Sequence, residues 1–423
     1  MQFNPTLHKL SNGVTVILDP MDLETVSVKI RFATGSRDET PDVYGITHFC
    51  EHMLMKGTKN FPTRKELKDY VENMGGTFNA STSNMSLQIY GRIIVENMDK
   101  LLAVFADILE NSLFDQDKIE IERNVILDEL RRGQGNNKRR FSDFIHTNLL
   151  GFSAFRTLGT NENIKSFTRT QMINWLHQRL SAKNCVIGIS GRIDNPDTLL
   201  QNLEKLFAFL PTHDVTKNTE LKYTPCDKFL PDPGLKNVWL NILFPYIRSD
   251  TYENIRDNLA ESKFHKYLIQ ELGEVVRQQN GLIYGIGMAG YGNEYWGVHG
   301  IDTETSPENL ERAVALIAKT AYRVYNTDKI TQPIVSRFYN IHKLVDADFL
   351  ESATRRCDVL IGHYTDFGKL YDLKTVQDFD KSITADEVIK CSNGFFTGPM
   401  SIMTFGAECG DIDLHKIWID NFK

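Results

Sequence analysis

The stretch 45–58 reads Gly-Ile-Thr-His-Phe-Cys-Glu-His-Met-Leu-Met-Lys-Gly-Thr and sets two histidines, His48 and His52, four residues apart. On a helix these side chains lie one turn above each other on one face, so both can bind one metal ion. Glu51 sits at the edge of that face, where a carboxylate can accept a proton from metal-bound water. The spacing predicts a catalytic zinc site; the alternative is a surface helix with two solvated histidines.

A third zinc ligand must come from another part of the chain, because catalytic zinc usually takes three protein ligands and keeps one position for water. The helix predicted over 118–130 carries two suitable carboxylates, Glu122 and Glu129. They are seven residues apart and share a face of that helix. Spacing alone leaves the choice between them open.

The histidine stretch resembles the zinc helix of the pitrilysin/insulinase family of zinc metallopeptidases, the inverzincins. The likeness is to the short two-domain type, which resembles mitochondrial processing peptidase subunits and bacterial homologues. The likeness extends to 10–14, 35–39 and 75–82, which read Leu-Ser-Asn-Gly-Val, Gly-Ser-Arg-Asp-Glu and Gly-Gly-Thr-Phe-Asn-Ala-Ser-Thr. It implies zinc held by His48, His52 and Glu129, one ion per chain. It also implies that Glu51 is the general base and that Glu122 orients a ligand histidine.

The resemblance adds substrate-binding residues in both halves. Arg277 and Tyr284 stand in a segment Arg-x-x-x-Gly-Leu-x-Tyr, and the family implies that they stabilise the oxyanion of the tetrahedral intermediate. Asn79 and Ala80 belong to a polar segment that can be a solvated edge or a strand to which an extended peptide adds. The family favours the second reading, with both residues lining a cleft.

The proline-rich segment 211–234 predicts a linker between domains 1–210 and 235–423. The two halves echo each other at an offset of about 216 residues: 165–168 matches 381–384, and 186–191 matches 402–407. We therefore expect a duplicated fold. The second domain is expected to lack a metal site, because His265, in the helix corresponding to the zinc helix, has no evident partners.

The expected fold class is α+β, with each domain a mostly antiparallel β-sheet covered by helices on one face. Apolar residues alternate with polar ones over 26–32, the period of a strand with one buried face. Thr63 and Glu66 form a capping box that opens a helix, and apolar residues recur at helical spacing over 98–109. Strands are expected near 238–243 and within 282–303, around a helix near 254–277.

Composition limits the classes of partner. The chain has 423 residues, 41% hydrophobic, and a formal net charge of −7, so nucleic acid is not expected as a partner. No apolar run is long enough to span a membrane. The six cysteines are far apart and form no CxxC pair, which favours reduced thiols. With no signal-peptide pattern at the start, we expect a bacterial-type cytoplasmic protein, although a mature organellar matrix protein would look the same.

The sequence therefore predicts a zinc-dependent metalloendopeptidase that hydrolyses peptides or unfolded segments inside a closed chamber. Longer members of the family close four such domains around a chamber, so a two-domain chain implies a homodimer whose second subunit completes the active site. One alternative is a non-catalytic assembly subunit of the same fold. A structural zinc protein is disfavoured, because structural sites usually have four protein ligands.

Overall fold

A computed structural model describes residues 3–216, 223–247, 254–292, 296–326 and 329–423. The chain forms two compact units, each built from separate stretches of sequence. The first takes the described residues of 1–137, 154–220 and 346–371, and the second takes those of 138–153, 221–345 and 372–423. The predicted boundaries at 210 and 235 remain a prediction, and residues 217–222 of the predicted linker lie outside the described residues.

Two sheets and a set of amphipathic helices make up the described chain. The strands are β1 (Thr6–Lys9), β2 (Thr15–Pro20), β3 (Thr25–Phe32), β4 (Thr77–Thr82), β5 (Leu87–Ile94), β6 (Cys185–Gly191), β7 (Lys228–Pro231), β8 (Val238–Ile247), β9 (Ile286–Gly292), β10 (Trp296–Thr305) and β11 (Ser401–Gly406). The helices are α1 (Ile46–Leu54), α2 (Arg64–Asn73), α3 (Met98–Asn111), α4 (Gln116–Gln134), α5 (Asn137–Ile145), α6 (Asn161–Ser166), α7 (Arg169–Arg179), α8 (Pro196–Leu206), α9 (Ile255–Leu272), α10 (Leu310–Tyr325), α11 (Gln332–Leu350), α12 (Ala353–Phe367), α13 (Leu373–Ser382), α14 (Ala385–Phe395) and α15 (Leu414–Asn421).

The sheet of the first unit has the strand order β1-β2-β6-β3-β5-β4. Only the β2–β6 pairing is parallel among these neighbours. The strand expected over 26–32 is β3, and its apolar residues enter the core as the alternation requires. The polar segment after Gly76 forms β4, which lies at the edge of this sheet; this position is compatible with both readings, a solvated edge and a strand to which a peptide adds.

The helices of the first unit bury the faces that their sequences predict. Thr63 caps α2 through the expected capping box with Glu66. On α3 the side chains of Leu101, Phe105 and Ile108 are fully buried, and each contributes about 1.5–3 kcal/mol relative to exposure. These helices lie on the face of the sheet that carries Val16 and Ile30.

One helix covers the opposite face of this sheet, which the sequence did not indicate. Helix α12 packs on β2, β3 and β6, where Cys357, Leu360 and Ile361 meet Ile17 and Val186. Two ion pairs accompany these contacts. Arg356 binds Asp19 through two parallel hydrogen bonds with both side chains fully buried, and Lys29 pairs with Asp358. The first unit is therefore covered on both faces of its sheet.

The sheet of the second unit has the order β7-β11-β8-β10-β9, with β7–β11 the parallel pairing. Strand β7 comes from the proline-rich segment expected to be a linker. It lies at an edge of the sheet and ends on Pro231, which suits an edge strand because proline cannot donate to a ladder. Strands β9 and β10 fall within 282–303 and just beyond it, and residues 293–295 between them lie outside the described residues.

The echo between the halves has a structural counterpart. Thr168 caps α7 and Thr384 caps α14, each through a capping box, and each helix leads toward a fully buried strand, β6 or β11. The α+β class with two sheets and packed helices is confirmed. No helix within the described ranges is both long and apolar enough to cross a membrane.

Candidate metal centre

Helix α1 begins at a tightly fixed position. Its N-cap, Gly45, has φ 94°, and a Cβ there would lie 2.6 Å from the Cα of Gly159. Glu39 accepts hydrogen bonds from the backbone N–H groups of Gly45 and Thr47, at 2.8 and 2.9 Å. Burial raises the pKa of Glu39 to about 7, and the bonds from α1 partly oppose that rise. The first turn of the helix is thus held by a carboxylate that the sequence analysis did not single out.

The two histidines share the face of α1 that is turned away from the core. Phe49, Cys50 and Met53 are fully buried in the core cluster, so Cys50 packs there as its position on the helix predicts. The rings of His48 and His52 meet edge to face, with centroids 4.6 Å apart. The local geometry expected from the four-residue spacing is present.

Helix α4 brings a carboxylate to both imidazoles. The Oε2 atom of Glu129 lies 3.8 Å from Nε2 of His48 and 3.7 Å from Nε2 of His52. Glu122, two turns earlier, instead receives a hydrogen bond from Nδ1 of His52 at 2.9 Å. The structure therefore separates the two acidic residues that spacing could not rank: Glu129 converges with the histidine Nε2 atoms, and Glu122 lies behind His52.

The convergent donor set fits a zinc ion. Ligands bound tetrahedrally at 2.0–2.2 Å are about 3.3–3.5 Å apart, close to the 3.7 and 3.8 Å between Glu129 and the two nitrogens. Burial, helped by the charge of His52, lowers the pKa of His48 to about 3. His48 is therefore neutral at physiological pH, as a ligand must be. The hydrogen bond to Glu122 fixes the His52 ring so that its Nε2 faces Glu129.

Glu51 stands next to this set without joining it. Its Oε2 atom is 4.0 Å from Nε2 of His48, and the residue is 9% exposed. Burial raises the pKa of Glu51, and the charge of His52 opposes the rise. A carboxylate with a raised pKa beside a metal position is suited to exchange a proton with a water molecule.

Lys56 is a further contributor that sequence reasoning missed. Its ammonium lies 2.5 Å from Oε1 of Glu122, on the side away from His52. Burial opposes ionisation of Glu122, but hydrogen bonds from His52 and Lys56 outweigh burial and lower its pKa. Lys56 lies just beyond the end of α1, so helical spacing gave no signal for this contact.

Arg277 and Tyr284 belong to the second unit and lie together there. Arg277 is on the π-helical turn 273–279 that continues α9, with its guanidinium carbon 5.9 Å from the centre of the Tyr284 ring. Tyr284 is 84% exposed, which is unusual for a large aromatic side chain. Its phenol is free to meet another molecule, but the oxyanion role remains a prediction.

The two residues predicted to bind substrate lie on β4, beside α1. Asn79 is exposed, whereas the side chain of Ala80 is 6% exposed and packs in the core. Ala80 can therefore meet a substrate only through its backbone. Within the described chain β4 pairs on one side alone, with β5, which leaves its other backbone edge open.

The expectation that His265 has no partners is wrong. Glu261, one turn earlier on α9, and His299, on β10, both lie beside it, and ligand atoms of the three residues are within 4.8 Å of one another. Sequence reasoning missed this cluster because His299 reaches α9 only through tertiary folding. The four-residue spacing of Glu261 and His265 was visible, but such pairs are common on solvated helices.

Comparisons with known proteins show which family the chain resembles. Residues 15–158 match the family described as insulinase (peptidase family M16), and residues 166–338 match the family described as peptidase M16 inactive domain. A protein of Rickettsia felis named an uncharacterized zinc protease is 27% identical over 425 residues, 98% of this chain and 99% of that protein. The mitochondrial-processing peptidase subunit beta of Dictyostelium discoideum is 34% identical over 213 residues, 50% of this chain and 45% of that protein.

The fold has a close counterpart among solved structures. A protease from Helicobacter pylori superposes with a TM-score of 0.80 at 19% identity, covering 96% of this chain and 100% of that one. The match to the inactive-domain family begins at residue 166, after the proposed zinc ligands, and runs into the second half as far as residue 338. Both halves thus match one family over most of their length, and the chain belongs to the insulinase family of peptidases, family M16.

Proposed function

We propose that this protein is a zinc-dependent metalloendopeptidase that acts on peptides or unfolded segments. The observation that carries the proposal is the convergence of His48, His52 and Glu129 with Glu51 beside them. Relatives named zinc protease support the same reaction class. The proposed zinc ligands and the base all lie before residue 166, where the match to the inactive-domain family begins.

Each residue of the centre has a distinct task in this proposal. His48, His52 and Glu129 would hold one zinc ion, and Glu122 would keep His52 in the ligating tautomer. Zinc, when bound, polarises water and the scissile carbonyl. Glu51 takes a proton from the attacking water and then delivers it to the leaving amine nitrogen. Its burial favours this exchange because the protonated form is not strongly disfavoured there.

Arg277 and Tyr284 are proposed to stabilise the oxyanion that develops on the substrate carbonyl. A guanidinium and a phenol can both donate hydrogen bonds to a developing negative charge. Their exposure, 84% for Tyr284, leaves them available for such a contact. We further propose a homodimer in which these two residues act on the zinc centre of the other subunit and in which the paired chains enclose a chamber.

The open edge of β4 is the proposed site for the peptide backbone. An extended substrate can add to an unpaired edge strand through main-chain hydrogen bonds. These bonds do not depend on the amino-acid sequence of the substrate. Asn79 would contribute its exposed amide, and Ala80 its backbone. This mode suits peptides and unfolded segments better than folded proteins. The cytoplasmic location expected from the sequence remains a prediction, since relatives include bacterial and mitochondrial proteins.

The test is hydrolysis of a mixed pool of quenched-fluorescent peptides by the zinc-loaded protein. Glu51→Gln keeps the size of the side chain and one oxygen that can accept a hydrogen bond, but the amide cannot take up a proton. We therefore expect turnover to fall by about 10²–10⁴-fold. Zinc content measured on the same samples should stay at the wild-type level. Zinc-loaded, folded wild type that is silent on the pool would instead support the alternative, a non-catalytic assembly subunit, which the relatives' names do not favour.

The shared-site hypothesis has its own test. Glu51→Gln and Tyr284→Phe subunits, each inactive as a homodimer, are mixed under conditions in which subunit exchange is verified by mass. If sites are shared between subunits, mixed dimers contain one intact site and regain activity. Verified exchange without recovery would refute sharing and leave the hydrolytic proposal standing.

A further inference from the structure

The second unit contains a compact group of metal-ligating side chains that the proposed function does not use. Glu261 and His265 lie on α9, and His299 lies on β10. The Oε1 atom of Glu261 is 3.4 Å from Nε2 of His265 and 3.6 Å from Nδ1 of His299. These separations are close to the spacing of ligands around one tetrahedral ion, about 3.3–3.5 Å.

Helix α9 repeats the four-residue ligand spacing of α1, with a glutamate in place of the first histidine. Glu261 and His265 are four apart, as His48 and His52 are, so both again point from one face of a helix. The residue before the second ligand differs. Glu51 occupies that place in α1, whereas α9 has Phe264, which is fully buried. The second group therefore keeps the means of holding an ion and lacks a base at this position.

Each imidazole of this group has a buried nitrogen without a good hydrogen bond. Among the described residues, the Nε2 atoms of His265 and His299 are both buried and form no hydrogen bond of ordinary geometry, the nearest contact of His265 Nε2 in this group being Glu261 at 3.4 Å. Leaving such an atom unsatisfied costs about 1–3 kcal/mol. A bound metal ion would take up the lone pair of such a nitrogen and remove this cost.

The surroundings hold the two rings in place. The ring of Phe395 stacks on His299 with centroids 4.4 Å apart and meets His265 edge-on at 4.9 Å. Tyr246 stacks on His299 at 5.0 Å. Glu261 is partly exposed, which leaves an entrance for an ion.

We propose that Glu261, His265 and His299 form a second metal site, which binds Zn²⁺ or a related divalent transition ion. Two imidazoles and one carboxylate suit zinc, cobalt or nickel, whereas Mg²⁺ and Ca²⁺ prefer oxygen ligands alone. Phe264 stands where the first site has its base, so a bound ion here would lack a general base; it would link α9 to β10 and keep one coordination position for water. The site is independent of the proposed peptidase activity, and the chain would bind two ions.

The experiment counts zinc in the full-length chain after loading with Zn²⁺ and removal of loosely bound metal. The first site is disabled by His48→Ala with His52→Ala, and the remaining zinc is measured by mass spectrometry. We expect one ion per chain in this variant and none after adding His265→Ala and His299→Ala. Zinc should raise the unfolding temperature of the first variant and leave that of the second unchanged.

The matched control removes a histidine of the same unit that pairs with a single carboxylate. His415 contacts Asp227 at 2.7 Å and belongs to no three-ligand group found among the described residues. Adding His415→Ala to the first-site variant should leave one ion per chain. A loss equal to that caused by the His265 and His299 changes would show non-specific binding and overturn the proposal.

A second variant guards against misfolding. Glu261→Gln keeps the shape of the side chain and removes its charge, so in the first-site variant we expect at least a tenfold weaker affinity for Zn²⁺. Co²⁺ bound to the first-site variant should give the visible absorption of a four-coordinate ion. Adding Glu261→Gln to this variant should weaken that absorption. If the first-site variant, folded by circular dichroism, binds no Zn²⁺ and shows no Co²⁺ band, the second site does not exist.

Discussion

Replacing Glu122 by glutamine should weaken zinc binding without removing any ligand. The carboxylate is 4% exposed and accepts from Nδ1 of His52 at 2.9 Å and from Lys56 at 2.5 Å. A hydrogen bond to a charged partner contributes about 1.5–3 kcal/mol, against about 0.5–1.5 for a neutral pair. The neutral amide therefore forfeits about 1–1.5 kcal/mol at His52. It also leaves the Lys56 ammonium without its counter-ion near the metal.

The expected result is a 10–100-fold lower zinc affinity, the range typical for partners of ligating histidines, which corresponds to about 1.4–2.7 kcal/mol. Zinc is titrated at neutral pH in competition with a chromophoric chelator. The titration uses the chain carrying His265→Ala and His299→Ala, so that the second proposed site does not contribute. Glu120→Gln is the matched control, because Glu120 lies on the same helix but is exposed and pairs with Arg123.

The reasoning is refuted if Glu122→Gln binds zinc within about twofold of its parent. It is also refuted if Glu120→Gln causes an equal loss of zinc affinity. In that case the loss would come from removing any negative charge from α4, and the contact with His52 would not matter. Circular dichroism on each variant checks that α4 is intact. Only a selective loss at Glu122 supports the role assigned to it.

Three further predictions concern the first unit. Arg356→Met leaves the Asp19 charge buried without its main partner, so urea unfolding should show a loss of about 3–5 kcal/mol; a loss below about 1 kcal/mol would contradict the buried pair. Glu39 has a pKa raised to about 7, so it binds more protons folded than unfolded, and its contribution to stability is lost as pH rises from 4.5 to 7. Glu39→Gln should reduce the change in unfolding free energy between pH 4.5 and 7, and an unchanged pH dependence would argue against the raised pKa of Glu39. Gly188→Val sets a Cβ 2.6 Å from Cδ1 of Ile361, so the unfolding free energy should fall by about 1–3 kcal/mol; an unchanged melting curve would show that α12 can shift away.

The part of the site that lies within one helix could be predicted from the sequence. The relation of His48, Glu51 and His52 depends only on the pitch of α1, which the sequence pattern determines. The approach of α4 to α1 is tertiary, so spacing left Glu122 and Glu129 equivalent. The family resemblance ranked them, and the structure brings Glu129 to the two Nε2 atoms.

Contacts between distant segments account for what the sequence did not reveal. Helix α12 reads as an ordinary amphipathic helix, and nothing in its residues tells that it packs on β2 and β6 more than 160 positions earlier. His299 likewise meets His265 only because β10 lies beside α9. Strand periodicity, capping boxes and the edge position of β4 were predictable, since each follows from local chemistry.

The position of α12 determines whether the first half of the chain can be produced as a soluble fragment. A fragment ending near residue 216 would encode all three proposed zinc ligands and the base but would lack α12. Its sheet would expose Ile17 and Val186 to water and would keep Asp19 without Arg356. Such a fragment should self-associate, and a separate peptide spanning 353–367 should rescue its solubility. The half that carries the histidines therefore depends on residues 353–367, which come from the far end of the chain, to cover its sheet.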